Sequence, residues 1–357
     1  MTASAGAPCM PLAIPMKQGF FLMNEHFHPR RDRFQADKTL RLWLALLAGA
    51  YWMATSLLHL ELSKLIVSSV STPFGNFRPS DYSSVSGWVG LTALVLIVFL
   101  RARRGQHHLR TSIYWLFLLA VIFAANRLLL FSPNEYVHYP QYAILVILMC
   151  LSIDPDRTRW PFVRILFWGT FMGIIDEVNQ YLFVCPSYGD YLDFNDFFLN
   201  QLGVVTGLLL VYGFHAPENQ DRPTLPLFKS VEVKLVAVCF VILILLHAAG
   251  RLYVTPPKEV PPGGIALVNG KKAIYIEKKP GIMGNWNKVS KENEYYVLAP
   301  AGGLFLLLMT GLIFSTYDPR FSRQLFMRPR FMSKRRKIMP NIGAKNNNNL
   351  RSMDFRK

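Results

Sequence analysis

An all-α, polytopic bundle of about eight transmembrane helices, with a small external loop that includes a β-hairpin, is the fold class that the sequence predicts. Three observations lead there. The chain of 357 residues is 52% apolar and only 17% charged. Its apolar residues come in blocks of about 17–22, long enough to cross a hydrocarbon core about 30 Å thick at about 1.5 Å per residue. A soluble chain of this length would show amphipathic periodicity throughout instead.

The elements follow in order. Residues 1–39 form a polar, basic segment, and no small-residue cleavage site follows the first apolar block, so that block is expected to remain as a span. Spans are predicted over 40–61, 85–102, 112–131, 139–155, 162–184, 197–214, 233–250 and 298–316. They group into an N-terminal pair (40–111), a core (112–214) and a C-terminal pair (215–316) that encloses a long loop at 251–297. Within that loop, Ile265–Val268 and Ala273–Ile276 are short β-branched runs flanking Asn269-Gly270, the signature of a tight hairpin. A lone hairpin is marginal, so it is expected to lean on the membrane face or on Trp286 and Tyr295-Tyr296. Residues 317–357 are basic and lack an apolar period, so disorder is expected there.

Loop charge sets the expected orientation. Arg101, Arg103, Arg104 and Arg110 crowd one connection, Arg157 and Arg159 the next on that side, and Arg222 and Lys229 the third. With Arg30, Arg31, Arg33 and the cluster Ser333–Lys337, they predict both termini in the cytoplasm. The formal charge of +17 then needs no polyanionic partner, since 12 of the 39 Lys and Arg lie after Asp318. Nucleic-acid binding is excluded on that ground. Cys9, Cys150, Cys185 and Cys239 have no paired spacing and predict neither a disulfide framework nor a metal site.

The chemistry is concentrated at Asp176-Glu177-Val178-Asn179-Gln180, inside the fifth span. A charge at bilayer depth costs about 2.5–3.5 kcal/mol on insertion scales, so an intramembrane acid is a functional-site hypothesis by default. Asp176 and Gln180 are four apart and Glu177 and Gln180 three apart, which puts them on one helical face. Span six carries Asp196, Asn200, Gly203 and Gly207 at i, i+4, i+7 and i+11, a stripe of acid, amide and two small residues suited to close helix packing. His138 and Tyr142 stand four apart at the entrance of span four, and Arg127 lies near the matching end of span three. These groups share a depth, which predicts a polar cleft near the outer surface. The plainer alternative is packing: buried polar residues often join helices, and Arg127 with Asp176 or Glu177 could be a structural ion pair. His59 and Glu61 could simply reach the interface. No metal is expected, because the spacing matches no specific site such as His-Glu-x-x-His, and the sequence names no cofactor.

Taken in order, His138-Tyr139-x-x-Tyr142, Gly173-x-x-Asp176-Glu177-x-x-Gln180 and Asp196-x-x-x-Asn200-x-x-Gly203-x-x-x-Gly207 resemble the VanZ-like family of bacterial polytopic membrane proteins. The resemblance covers residues 112–214. It implies a bacterial inner (plasma) membrane location and a cell-envelope role, with a possible link to glycopeptide antibiotic resistance. The family usually places an Arg between the Gln and the second Asp; here residues 165–221 contain no Arg or Lys, and Tyr188 stands near that position.

Three functions are expected on this basis. One is binding of a lipid or amphiphile headgroup by His138, Tyr142, Asp176, Glu177, Gln180, Asp196, Asn200 and Arg127, with Gly173, Gly203 and Gly207 packing the helices. The second is an enzyme using Asp176 and Glu177 as general acid and base on a lipid-linked substrate. The third is an accessory subunit of a larger membrane protein complex, docking through the external loop and basic tail.

Overall fold

The computed structural model describes residues 29–68, 70–72, 75–77, 83–103, 109–130, 132–157, 161–184, 191–214, 230–254, 267–268, 271–277, 284–288 and 294–326. Cys9, Cys185, Tyr188, the Asn269-Gly270 turn and the Ser333–Lys337 cluster lie outside those residues.

Ten α-helices are formed by the described residues: α1 Pro29–Leu57, α2 His59–Val67, α3 Ser83–Arg103, α4 Leu109–Leu128, α5 His138–Ile153, α6 Phe162–Asn179, α7 Phe194–Tyr212, α8 Val231–Ala248, α9 Pro300–Ser315 and α10 Pro319–Phe326. Five helical stretches are long and apolar enough to cross a membrane: Lys38–Leu57, Leu109–Leu128, Asn134–Ile153, Phe194–Tyr212 and Val231–Ala248. Shorter apolar stretches occur at Val89–Leu100 and Pro300–Ser315. Helix α6 has a spanning length of 18 residues but carries Arg164, Asp176 and Glu177. The chain is a helical membrane protein.

Two boundaries differ from the sequence reading. The predicted first span, 40–61, is interrupted: α1 ends at Leu57, and α2 starts anew at His59. Beyond Asp318, where no regular structure was expected, α10 forms, because Pro319 suits a first helical position and Asp318 accepts from the Arg320 amide at 2.9 Å.

Helix α7 is the hub. Seventeen of its residues are buried, from Phe194 to Tyr212, and it packs against α4, α5, α6 and α9. A helix covered on nearly every face, its few polar groups bonded to neighbouring helices, belongs inside a bundle. Its glycines set the spacing: a Cβ on Gly203 would lie 2.8 Å from the His138 and Tyr139 carbonyl oxygens, and one on Gly207 2.6 Å from the Ala143 carbonyl. Only glycine lets α5 and α7 approach that closely. Helix α1 lies on α5 and α6 through Tyr51 OH to the Gln141 carbonyl (3.3 Å), Trp52 Nε1 to the Met172 carbonyl (3.2 Å) and Asn179 Nδ2 to Ser56 Oγ (2.9 Å). Helix α8 is the opposite of α7, with no buried residue. Glu232, at its start, accepts from Arg164 Nε at 2.6 Å and Trp168 Nε1 at 3.3 Å.

The strands are short. β1 (Val70–Thr72) pairs antiparallel with β2 (Gly75–Phe77). In the loop, β3 (Leu252–Tyr253) pairs parallel with β6 (Ile274–Tyr275), and β4 (Leu267–Val268) antiparallel with β5 (Lys271–Lys272). β7 (Gly284–Lys288) pairs antiparallel with β8 (Glu294–Leu298), a ribbon that the sequence reading did not anticipate. Gly284 opens it at φ +130°, where a Cβ would sit 2.2 Å from the Val297 carbonyl oxygen. At its far end Lys288 meets Glu294 at 2.8 Å, and that hydrogen bond raises the ammonium pKa.

This strand-bearing segment is anchored on the bundle by one buried amide. Asn195, in the first turn of α7, donates to the Leu129 carbonyl (3.0 Å) and the Tyr296 carbonyl (2.8 Å), and accepts from the Leu298 amide (2.9 Å). Nearby, the Leu192 amide donates to the Tyr275 carbonyl at 2.8 Å, and the Tyr275 amide to Tyr181 OH at 3.2 Å. Asn195→Ala removes the side-chain partner of three backbone groups, two of these bonds being buried, so a destabilisation of about 2–3 kcal/mol is expected. Hydrogen exchange should rise selectively in residues 294–298; uniform protection matching the wild type would refute the anchoring role.

Candidate functional site

The site is built from the ends of three helices and one continuation. After Pro133–Val137, a 3-10 turn started by Ser132, the chain enters α5 at His138. Pro140 is tolerated in that first turn because the amide it lacks would have no helical partner there. Helix α6 carries Asp176 and Glu177 in its last turn and, from Gln180 to Val184, widens into a π-helical turn. Such turns disturb the regular side-chain register and recur at functional sites. Helix α7 begins beyond a capping Asp193, which accepts from the Asn195 amide at 2.8 Å and from Tyr191 OH at 3.1 Å. Burial, then the Asp193 carboxylate, raises the Tyr191 hydroxyl pKa above its ordinary range.

The three helices bring seven polar side chains together in two adjoining groups of contacts. Tyr142 OH donates to Asp176 Oδ2 at 2.6 Å, with Gln141 Nε2 at 3.4 Å from the same oxygen. Asn200 Nδ2 donates to Glu177 Oε1 at 2.8 Å, while Asn200 Oδ1 lies 2.7 Å from His138 Nδ1. His138 Nδ1 is 3.8 Å from Glu177 Oε1, and its Nε2 is 3.5 Å from Asp196 Oδ1. Asp176 is 0% exposed and His138 3%, and Glu177, Gln180 and Asn200 are buried as well. Asp196 is the open edge, with 21% of its side chain exposed. Gly173 lets α6 close on this group, since a Cβ there would lie 3.0 Å from that of Asn200.

Two buried atoms of the residues singled out here, Asp176 Oδ1 and Gln180 Nε2, have no hydrogen-bond partner among the described residues. Buried polar groups in native proteins are nearly always paired, with protein or with ordered water, so both atoms are open to a further partner.

Compared with protein-family models, with curated proteins and with solved structures, the chain matches none. The site therefore has to be read from its own geometry.

Of the residues singled out from sequence, His138, Tyr142, Asp176, Glu177, Asp196 and Asn200 meet here, and Arg127 does not. Arg127 is exposed in the last turn of α4 and forms no ion pair with Asp176 or Glu177. The structural ion pair considered for it is absent; its neighbour Asn126 faces inward instead and accepts from Tyr139 OH at 2.7 Å. Glu61 is also remote, exposed and paired with Lys64 at 2.8 Å. His59, set aside with it, stands beside the site, its ring centroid 6.2 Å from that of His138. The break at Leu58 redirects the chain so that α2 brings His59 inward. Gln141 was missed. It is buried and next in sequence to Tyr142, and the only signal for it was its place one turn after His138.

Proposed function

We propose that this membrane protein binds the headgroup of a lipid or other amphiphile in the nest formed by His138, Tyr142, Asp176, Glu177, Gln180, Asp196 and Asn200. The observation that carries the reading is the meeting of three carboxylates from two helices at one end of the bundle, in a stretch, 165–221, without a single Lys or Arg. A cationic or hydroxyl-rich headgroup would complement them, and Gln180 Nε2 and Asp176 Oδ1 are spare groups of opposite polarity to receive it. With the termini in the cytoplasm, as the arginine-rich connections favour, the nest lies toward the exterior of a bacterial inner membrane. The resemblance to VanZ-like proteins supports an envelope role of the same kind, including a contribution to glycopeptide-type resistance.

A second reading is favoured by the 2.6 Å contact between Tyr142 OH and Asp176, which could serve proton transfer on a lipid-linked substrate. The two readings separate on turnover.

The test is lipid mass spectrometry on the intact protein extracted into native nanodiscs. Wild type should carry an enriched amphiphile that Glu177→Gln loses by about tenfold or more, the scale of about 1.4 kcal/mol for one lost contact. Identical lipid profiles for the two proteins would remove the headgroup reading.

A further inference from the structure

We infer that His138, Glu177 and Asp196 form a binding site for a divalent first-row transition ion such as Zn²⁺ or Mn²⁺. The site shares residues with the headgroup nest but does not depend on any headgroup being bound there. The three side chains each offer a ligand atom, and these atoms all lie within 4.8 Å of one another.

The argument turns on the orientation of the imidazole. Asn200 donates its Nδ2 to the Glu177 carboxylate, so its Oδ1 is the atom turned to His138. An amide oxygen can only accept, and His138 Nδ1 must therefore carry the hydrogen and donate. The other nitrogen, Nε2, then presents a lone pair at 3.5 Å to the Asp196 carboxylate, in a side chain only 4% exposed. With Asp196 ionised, two acceptors face each other with no donor between them. A cation placed there satisfies both. An imidazole held by a hydrogen bond from its second nitrogen to a carbonyl-type oxygen is also the arrangement that fixes metal-ligating histidines.

Charge points the same way. Among the described residues Glu177 uses only Oε1 and Asp196 accepts no hydrogen bond. Asp176, close behind, has Oδ1 free. No Lys or Arg occurs between residues 165 and 221 to balance these acids. One nitrogen with two carboxylates is a mixed donor set suited to Zn²⁺ or Mn²⁺ rather than to Ca²⁺ or Mg²⁺, which take oxygen donors. Ligand bonds of about 2.0–2.2 Å require the donors to draw together by about 1 Å, and Asp196, with 21% of its side chain exposed and no hydrogen bond among the described residues, is the side chain able to move.

The experiment measures metal on the full-length protein in nanodiscs, stripped with chelator, exposed separately to Zn²⁺, Mn²⁺ and Mg²⁺, and desalted. About one equivalent of Zn²⁺ or Mn²⁺ should be retained, with little Mg²⁺, and Asp196→Asn and His138→Gln should each weaken retention tenfold or more. Glu61→Gln, remote and exposed, should retain the wild-type amount. Failure of the wild-type protein to hold a stoichiometric ion overturns the inference whether or not the variants fold; it would mean that a proton on Nε2, giving an imidazolium paired with Asp196, fills the gap. Equal retention by wild type and both folded variants also overturns it, as adventitious binding. Lipid content of the same samples is read in parallel: loss of metal affinity with the amphiphile retained bears on the ion alone, and an unchanged lipid profile in Glu177→Gln bears on the headgroup reading alone.

Discussion

Gly207→Val is expected to give the largest loss of stability of any single substitution on α7. A Cβ at this position would lie 2.6 Å from the Ala143 carbonyl oxygen and 3.0 Å from its Cα, both backbone atoms of the facing helix. Neither can rotate aside, so α5 and α7 must separate along their most extensive contact. Overpacking a tight core costs about 1–3 kcal/mol, and this case belongs at or above the upper end. Separation also pulls His138 from Asn200, because the same stripe holds Gly203 against the His138 and Tyr139 carbonyls. Gly49→Ala on α1 is the control: nothing lies within 4 Å of the added methyl, and a helix interior gains about 0.5–1 kcal/mol from alanine over glycine. Thermal unfolding in detergent should show opposite shifts for the two variants. A wild-type midpoint for Gly207→Val would mean that the helices are not packed as closely as described.

Asn200→Leu is expected to be the most damaging change within the polar nest. Leucine matches the volume but abandons both partners, His138 Nδ1 at 2.7 Å and Glu177 Oε1 at 2.8 Å. Each group is buried, and a buried polar group left unpaired costs about 1–3 kcal/mol, more when charged. Adding Glu177→Leu removes one orphan and should recover part of the loss, giving a coupling energy of about 0.5–3 kcal/mol in a double-mutant cycle. Strictly additive effects would show that Asn200 and Glu177 do not share a bond. Asn200→Asp tests orientation, because it keeps an acceptor for His138 but sets a second carboxylate against Glu177. It should rescue less than the double variant does.

Much of this arrangement was legible in the sequence because the membrane makes polar residues conspicuous. Asp176 and Glu177 stand out within an apolar run, and the four-residue steps from His138 to Tyr142 and from Asp196 to Asn200 fix a face without coordinates. The glycine stripe, too, announces a close contact. What periodicity could not convey is which neighbour a face meets, and so Arg127, at a plausible depth, turns to the outside while Asn126 turns in. The break at Leu58 was equally hidden, since no Pro or Gly marks it, and His59 was misjudged with it. The pairing of β7 with β8 escaped because Gly284–Lys288 is too polar to read as a strand; its partner and Asn195 supply what the local sequence lacks. The tautomer of His138 depends on which end of the Asn200 amide faces it, a property of the network that no spacing encodes.

The near-complete enclosure of α7 has a consequence for biosynthesis. Emerging alone into lipid, this segment would expose Asp196, Asn200, Gln201 and two bare glycine notches to hydrocarbon. Yet the ribosome delivers α5 and α6 first, so acceptors and a complementary surface already wait when it arrives. Helix α9, made later, closes the remaining side, where Gln201 Nε2 finds the Leu307 carbonyl at 3.0 Å. Translation order thus spares this polar-studded rod from ever facing lipid unaccompanied, and relocating that segment ahead of its neighbours in a permuted gene should defeat its insertion.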